Sequence, residues 1–233
     1  MKSYKIGLKD GLPIGLGYLS VSFTFGIMAI SLGLVWWQAL LISILTLTSA
    51  GQLAAINIMI NPGRYFEMVL SQGTINVRYS FMSISLSQNV DNKFKGIYKW
   101  LLGFFITDEI FAVASMKKNV SRIYFLGLST LPYFGWALGT LSGALVGNIV
   151  PEVVLNALCL GIYGMFIAIV APIAKDNKPV LVASLIAICF GVFFYYVPLI
   201  KEVPSGIAIS VSAILSALIC ALLFPIKEDQ KNE

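Results

Sequence analysis

The chain has no histidine and few charged residues. Asp, Glu, Lys and Arg make up 12% of its residues, whereas a soluble domain carries about a quarter. Without histidine, the chain lacks the commonest metal ligand and the commonest general base. The low charge excludes an ordinary soluble domain, and the missing histidine excludes zinc proteases with a His-Glu-x-x-His motif.

Cysteine and nucleotide motifs are also scarce. The three cysteines, Cys159, Cys189 and Cys220, lie within apolar runs without metal-ligand spacing, and we expect them to be small buried hydrophobes. We therefore predict no metal and no other cofactor. No glycine-rich phosphate-binding loop is present, so energy for any transport has to come from an ion gradient or another chain.

Apolar residues dominate what remains. Hydrophobic residues make up 58% of the 233 positions, and the mean hydropathy is +0.86. This composition predicts an all-α polytopic membrane protein. We interpret residues 1–233 as one transmembrane domain, with a cytoplasmic segment at 1–11 and a cytoplasmic tail at 226–233.

Apolar runs and turn residues predict about eight transmembrane helices. They cover about 12–34, 36–61, 64–86, 100–116, 123–150, 151–172, 180–198 and 204–224. With both termini inside, eleven of the fifteen basic residues outside the third span fall on the cytoplasmic side, as the positive-inside rule favours. If the third segment re-enters without crossing, seven spans remain and the asymmetry nearly disappears.

The third segment carries unusual polarity for a membrane span. Glu67, Gln72, Asn76 and Arg78 lie within it, and an arginine at mid-bilayer costs about 2.5–3.5 kcal/mol on insertion scales. That cost is tolerable where Arg78 faces protein, water or a counter-charge, so we predict an anion-recognition point at membrane depth. The alternative is a snorkelling arginine that anchors the segment.

Two other spans hold polar clusters near their middles. Residues 46–52, Thr-Leu-Thr-Ser-Ala-Gly-Gln, are either hydroxyl contacts between helices or a kink that lines a substrate site. Asp108 and Glu109 are adjacent, so on one helix they point about 100° apart and are not expected to face one site together. They mark an ion pathway, or else they cap a cytoplasmic helix end against Lys117 and Lys118.

A stripe of glycines predicts close helix packing in the fifth span. Gly135, Gly139, Gly143 and Gly147 recur at four-residue spacing, which creates a flat face for another backbone. Leu12-Pro13 and Leu131-Pro132 each precede a glycine-bearing span. This echo suggests two structural repeats with a site between interrupted helices near the midplane, as in many transporters.

The ordered motifs resemble those of the AzlC family. They are Ser49-Ala50-Gly51-Gln52, then Asn76-Val77-Arg78-Tyr79, then Asp108-Glu109. The resemblance implies a branched-chain amino acid permease, mostly an exporter, in the cytoplasmic (inner) cell membrane. It also implies a small AzlD-type membrane subunit as partner and a proton gradient as driving force.

The candidate site residues follow from these motifs. We predict substrate contacts for Ser49, Gly51, Gln52, Asn76, Arg78 and Tyr79, and proton coupling for Asp108 and Glu109. A guanidinium and a carboxylate within apolar walls complement a zwitterion with an apolar side chain.

Two other functions stay open on sequence grounds. A membrane scaffold subunit would use the glycine stripe, but it has no need of costly charges at depth. An intramembrane aspartyl enzyme needs two aspartates at membrane depth, and Asp108 is the only one available. We therefore expect a transporter and no enzymatic activity.

Overall fold

The computed structural model describes residues 2–61, 63–91, 94, 96–147, 149–200 and 203–225. Ten α-helices account for nearly all of these residues, and they contain no β-strand beyond one isolated bridge. The helices are α1 (Lys2–Ser31), α2 (Trp36–Leu45), α3 (Ser49–Met59), α4 (Tyr65–Ser87), α5 (Ile97–Gly103), α6 (Asp108–Ser115), α7 (Arg122–Val146), α8 (Glu152–Asp176), α9 (Lys178–Tyr196) and α10 (Ser205–Leu223). The predicted tail at 226–233 lies outside the described residues.

Six of these helices have 19 residues or more: α1, α4, α7, α8, α9 and α10. At about 1.5 Å per residue each can cross a hydrocarbon core of about 30 Å. Three of them, α1, α9 and α10, are also apolar enough to be candidate spans by composition. The all-helical membrane class is thus as predicted.

By its internal contacts the chain divides into two compact units. The first unit comprises Met1–Ile60 and Asn76–Ile162, and the second comprises Asn61–Ile75 and Tyr163–Glu233. Helices α4 and α8 each contribute to both units. The predicted site residues all belong to the first unit.

Helices α1 and α7 form the spine of the first unit and run parallel. Gly7 lies against Tyr124, Gly15 against Leu131, and Gly26 against Thr140, so the contact advances in the same direction along both helices. A Cβ added at Gly135 would meet the carbonyl oxygen of Gly15. Glycine at these positions allows the two backbones to touch along most of their length.

The predicted glycine stripe lies on this contact. A Cβ added at Gly139 would meet the Leu19 carbonyl oxygen, and one at Gly143 would meet that of Phe23. Gly147 follows the end of α7 and is less confined, since its added Cβ would lie 3.1 Å from the Cβ of Ile30. The neighbour of the stripe is therefore α1 of the same chain.

Helices α2 and α3 form a hairpin. The start of α2 and the end of α3 both lie at the same end of the first unit. The amide of Gln52 on α3 donates to the Ser43 hydroxyl on α2 at 3.1 Å. Further along, Ile56 packs with Ala29 and Ala39, and Ile60 shares a cavity with Leu32 and Trp37. Helix α3 thus returns beside α2 to the C-terminal end of α1.

Helices α5 and α6 form a second hairpin, which enters from the opposite end. The guanidinium of Arg122 lies 4.7 Å from the centre of the Tyr98 ring, next to the start of α5. Beyond the end of α6, the Asn89 amide donates to the Lys117 carbonyl oxygen at 2.9 Å. Lys117 Nζ lies 2.8 Å from an Asp10 carboxylate oxygen. Both ends of this hairpin therefore lie near the N-terminal ends of α1 and α7.

The structure does not confirm 36–61 and 100–116 as single spanning helices, because each is divided into two short helices. Each segment is long enough for one span, but its helix breaks in the middle and the chain turns back. Thr46 and Thr48 adopt extended backbone in the first break, and Thr107 does so at the end of the second. The Arg78 segment, suspected of re-entering, is instead the continuous 23-residue helix α4.

One end of the first unit holds all its described basic residues except Arg78; we call it the basic end. Its members are Lys2, Lys5, Lys9, Lys99, Lys117, Lys118 and Arg122. The hydrogen bond with Asp10 raises the pKa of Lys117. The C-terminal ends of α1 and α7 form the far end.

The cysteine prediction is only partly confirmed. Cys220 is buried and its thiol donates to the Pro179 carbonyl oxygen at 3.1 Å, whereas Cys189 is exposed. An exposed cysteine on an apolar spanning helix is compatible with a lipid-facing position. The side chain of Cys159 lies outside what the structure describes.

Candidate functional site

The turns of the two hairpins meet beside the middle of α1 and α7. We call them tip 1 (Thr46–Thr48) and tip 2 (Phe104–Thr107). Leu47 of tip 1 is buried with Tyr18 and Trp136, and Phe105 of tip 2 packs against the same cluster. Two hairpins from opposite ends thus place their turns next to each other.

A helix begins at each tip. Helix α3 begins at Ser49 directly after Thr48, and α6 begins at Asp108 directly after Thr107. The first turn of an α-helix has N–H groups without intrahelical partners and carries partial positive charge. Helix starts of this kind bind anionic groups at the broken helices of many transporters.

Helix α4 contacts both tips. The Thr48 hydroxyl donates to the Asn76 side-chain oxygen at 2.8 Å, and Arg78 Nη1 lies 2.7 Å from an Asp108 carboxylate oxygen. Residues two apart on a helix point about 200° apart, so α4 uses opposite faces for the two contacts. The tripeptide from Asn76 to Arg78 therefore links tip 1 to tip 2.

The Arg78 guanidinium retains donors after its ion pair with Asp108. Nη2 donates to the Tyr79 hydroxyl at 3.2 Å, a long contact, and the Tyr79 ring centre lies 5.0 Å from Cζ. Nε is buried and has no hydrogen-bond partner among the described residues. The Nε–Nη2 edge, which can hold a carboxylate with two parallel bonds, is therefore not occupied by any described carboxylate.

Glu109 and Asp108 line the same narrow cavity, contrary to the prediction that they would face different sites. The two acids occupy the first turn of α6, where the preceding chain turns away and leaves the helix end open. Asp108 pairs with Arg78, while Glu109 accepts a hydrogen bond from the Tyr18 hydroxyl. Adjacent residues can share a site at a helix end, although they diverge along its sides.

Tyr18 on α1 holds tip 2 from the other side. Its hydroxyl lies 2.6 Å from the Thr107 hydroxyl oxygen as well as beside Glu109. Since a phenol has one proton to donate, donation to the carboxylate leaves the Thr107 hydroxyl to donate to Tyr18. The Thr107 oxygen also accepts from the Ile110 N–H at 3.4 Å and so caps α6.

Gln52 lies in a buried network behind tip 1. Its side-chain oxygen accepts from Trp136 Nε1 at 2.9 Å, and its nitrogen donates to Ser43, whose oxygen lies 2.7 Å from that of Thr140. The side chain is 1% exposed. In this arrangement Gln52 fixes the α2–α3 hairpin to α7. The substrate contact predicted for Gln52 stays a prediction.

The cavity between the tips is small. It has a volume of about 10 Å³, which holds about one water molecule. Its lining residues are Tyr18, Leu47, Ser49, Tyr79, Thr107, Asp108, Glu109 and Trp136. The cavity is therefore too small for a molecule much larger than water.

The other predicted residues are placed as follows. Ser49 and Tyr79 line the cavity, and Gly51 is buried in the first turn of α3. Lys117 pairs with Asp10, beyond the opposite end of α6 from Asp108 and Glu109. The alternative in which these acids cap a helix end against Lys117 therefore does not hold. Among the described residues, no group of three His, Cys, Asp or Glu side chains is placed to hold a metal ion.

Sequence reasoning missed several contributors to the site. Tyr18, Thr107 and Trp136 contact or line it. A tyrosine or tryptophan in an apolar helix carries no signal of its own. The available clue was Thr107 before two acids, since threonine followed by acidic residues is typical of a helix start.

Apolar helices long enough to span a bilayer, and two hairpins whose turns meet beside an ion pair, define an integral membrane protein with features typical of transporters. The sequence model described as AzlC protein matches residues 13–150, which is more than half of the chain. The chain belongs to the AzlC family, a family of membrane proteins associated with transport.

Curated relatives are membrane proteins as well. An uncharacterized membrane protein of Archaeoglobus fulgidus is 32% identical over 176 residues, covering 75% of this chain and 77% of that protein. The inner membrane protein YgaZ of Escherichia coli is 24% identical over 228 residues, covering 93% of this chain and 87% of YgaZ. An uncharacterized membrane protein of Helicobacter pylori is 28% identical over 155 residues, covering 64% and 66% respectively. No solved structure matches the chain.

Proposed function

We propose that this protein is a secondary transporter that exports branched-chain or other apolar amino acids. The observation that carries the proposal is the link through α4. Arg78 pairs with Asp108 at tip 2, and Asn76 binds Thr48 at tip 1. A charged pair between a continuous helix and the turn of a hairpin, in a family associated with transport, supports a substrate site at membrane depth.

The groups that line the cavity, together with Arg78, which pairs with the lining residue Asp108, suit a zwitterion. The Nε–Nη2 edge of Arg78 offers a two-point fork to the substrate carboxylate. Asp108 and Glu109 offer negative charge to the ammonium group. Leu47 and Trp136 supply apolar wall for the side chain, so leucine, isoleucine and valine fit better than polar amino acids.

The opposed hairpins provide a route for alternating access. Tip 1 is held by Asn76 of α4, and tip 2 is held by Tyr18 of α1. Release of tip 1 would open the cavity toward the far end, and release of tip 2 would open it toward the basic end. Alternating access in transporters with paired elements of this kind moves one element at a time around a fixed site.

Asp108 gives the site a means of coupling to protons. A substrate carboxylate that takes over Arg78 separates Asp108 from its counter-charge, and Asp108 then binds either the substrate ammonium or a proton. Substrate and proton binding would in this way change each other's affinity by the same factor.

The charge distribution supports a cytoplasmic basic end. If α1, α4, α7, α8, α9 and α10 each cross once, thirteen of the fifteen basic residues other than Arg78 fall on the side of the termini, and two, Arg64 and Lys201, fall on the other. The thirteen are Lys2, Lys5, Lys9, Lys93, Lys95, Lys99, Lys117, Lys118, Arg122, Lys175, Lys178, Lys227 and Lys231. This asymmetry exceeds that of the eight-span arrangement and favours six crossings with both termini inside. The name of the inner membrane relative is consistent with the cell membrane as its location.

A small AzlD-type membrane subunit is proposed as the partner, on the strength of the family resemblance. A mere scaffold role is less well supported, because a scaffold has no use for the Arg78–Asp108 pair.

The test is efflux of labelled leucine from liposomes that contain the purified protein, with and without the small subunit and a pH gradient. We expect gradient-dependent efflux that Arg78→Ala abolishes and Arg122→Lys, at a residue away from the tips, preserves. Correctly folded protein that moves no leucine under any of these conditions would contradict the proposal.

A further inference from the structure

A large groove, distinct from the cavity between the tips, lies between the C-terminal half of α4 and helix α5. Its volume is about 710 Å³. Ser83, Ile84, Leu86, Ser87, Val90, Phe94, Gly96, Lys99, Trp100, Leu102, Gly103, Phe104, Ile106 and Phe125 line it. It begins at the basic end of the first unit and extends inward to tip 2.

The described lining of the groove is mostly apolar. Within that described lining Lys99 is the one charged side chain, and the other polar side chains are those of Ser83, Ser87 and Trp100. Lys99 is exposed and forms no ion pair with any described residue. Lys117 at the same end, in contrast, is paired with Asp10. Lys99 therefore provides a positive charge that no described carboxylate neutralises.

The mouth of the groove has the composition of a bilayer interface. Trp100 is 85% exposed, and Tyr98 stacks beneath the guanidinium of Arg122. Exposed tryptophan and tyrosine next to basic residues are typical of the headgroup level. The apolar part of the groove, from Ile84 to Phe104, then lies at the depth of the acyl chains.

We propose that this groove binds an anionic phospholipid, with one acyl chain along the apolar lining and the headgroup phosphate beside Lys99. Basic pockets between helices on the cytoplasmic side commonly bind anionic headgroups. A zwitterionic amino acid is a poorer occupant, because the lining residues that the structure describes include a cation, Lys99, but no carboxylate. A bound chain would also support α5, whose end carries tip 2.

Substitution of Gly103 is the most direct way to block the groove. Gly103 lines the groove, it is helical, and no atom lies within 4 Å of an added Cβ. Gly103→Leu should therefore fill the groove without disturbing the fold. Gly17→Leu is the matched control, since Gly17 is also helical with nothing within 4 Å of an added Cβ.

The experiment measures phospholipid binding and needs no transport assay. Purified protein in detergent is titrated with phosphatidylglycerol or phosphatidylcholine, and bound lipid is counted by native mass spectrometry while the melting midpoint is recorded. We expect wild type and Gly17→Leu to bind one phosphatidylglycerol in preference to phosphatidylcholine, with a rise in melting midpoint. Gly103→Leu should lose this bound lipid, and Lys99→Gln should weaken it about fivefold, the effect of one basic residue near an anionic surface.

Three outcomes would overturn the proposal. They are equal affinity of the wild type for the two lipids, unchanged binding in Gly103→Leu, and unchanged lipid preference in Lys99→Gln. Because Lys99 is exposed, Lys99→Gln decides the matter even if Gly103→Leu fails to fold.

Discussion

The two hairpins share a shape and differ in chemistry. Each consists of two short helices that turn back near the middle of α1 and α7, and in each the second helix begins after a threonine. Hairpin 1 (α2–α3) is held by neutral hydrogen bonds, from Thr48 to Asn76 and from Trp136 to Gln52. Hairpin 2 (α5–α6) is held by charged groups, through Asp108 with Arg78 and Glu109 with Tyr18.

This difference suggests a division of roles. A neutral helix start attracts a carboxylate through its N–H groups, whereas a helix start with two acids attracts an ammonium group or a proton. The Thr48 side chain does not cap α3, while the Thr107 side chain caps α6. We infer that tip 2 carries the coupling charge and that tip 1 contributes neutral hydrogen bonds.

The largest expected effect concerns the two hairpins, which enter the first unit from opposite ends. Single cysteines at Ser31, Lys99 and Lys118, in a chain without native cysteines, should react with a membrane-impermeant maleimide only at Ser31 in intact cells. After permeabilisation all three should react, because Lys99 and Lys118 share the basic end. If Lys99→Cys and Ser31→Cys both react from outside in intact cells, the result would contradict this topology and support the eight-span arrangement.

Both hairpins depend on the contact between α1 and α7. Gly143→Leu should prevent that contact, because even a Cβ would meet the Phe23 carbonyl oxygen, and we expect little folded protein in detergent. Gly17→Leu, in the same pair of helices but with open space, should purify at the wild-type yield. Size-exclusion chromatography distinguishes them; equal monodisperse yields would show that the glycine contact is dispensable.

Equivalent positions at the two helix starts should respond differently. Asp108→Asn should reduce gradient-driven leucine efflux to the level of empty liposomes and leave leucine exchange partly intact. Ser49→Ala, the first helical residue at tip 1, should slow both activities by at most about fivefold, the effect of one neutral hydrogen bond of about 1 kcal/mol. Equal loss of efflux and exchange in Asp108→Asn would assign Asp108 to substrate binding or structure.

The smallest of these effects concerns the neutral network of hairpin 1. Gln52→Leu removes the hydrogen bonds that Gln52 forms with the Trp136 N–H and the Ser43 hydroxyl. A buried polar group left unsatisfied lowers the free energy of unfolding by about 1–3 kcal/mol. Gln38→Leu removes an exposed hydrogen bond in the same hairpin and should cost less. Denaturant unfolding in mixed micelles gives the comparison, and an equal loss for the two variants would remove the structural role of Gln52.

The sequence predicted which segments are helical and which charges are costly, but not where the chain turns back. Residues 36–61 form one apolar run, and its composition is the same whether the run crosses or returns. The turn at Thr46–Thr48 depends on contacts made far along the chain, such as Ser43 with Thr140 and Gln52 with Trp136. Local propensity contains no information about those partners.

The sequence singles out candidate site residues where a charged side chain is expensive at membrane depth. Arg78 and Asp108 stand out for that reason, and the structure brings them to 2.7 Å. Tyr18 carries no such cost, so its contact with Glu109 could not be predicted from the sequence. The glycine stripe indicated a close partner helix, but α1 could be identified only from the fold.

The measurement that tests the central claim most directly is leucine binding to Arg78→Lys by calorimetry. A lysine keeps the charge beside Asp108 but lacks the planar fork for a carboxylate. We predict affinity weaker by about thirtyfold or more, which corresponds to roughly 2 kcal/mol for a charge-assisted hydrogen-bonded contact, while Arg122→Lys binds like wild type. Wild-type affinity in a folded Arg78→Lys protein would contradict the assignment of Arg78 to the substrate carboxylate.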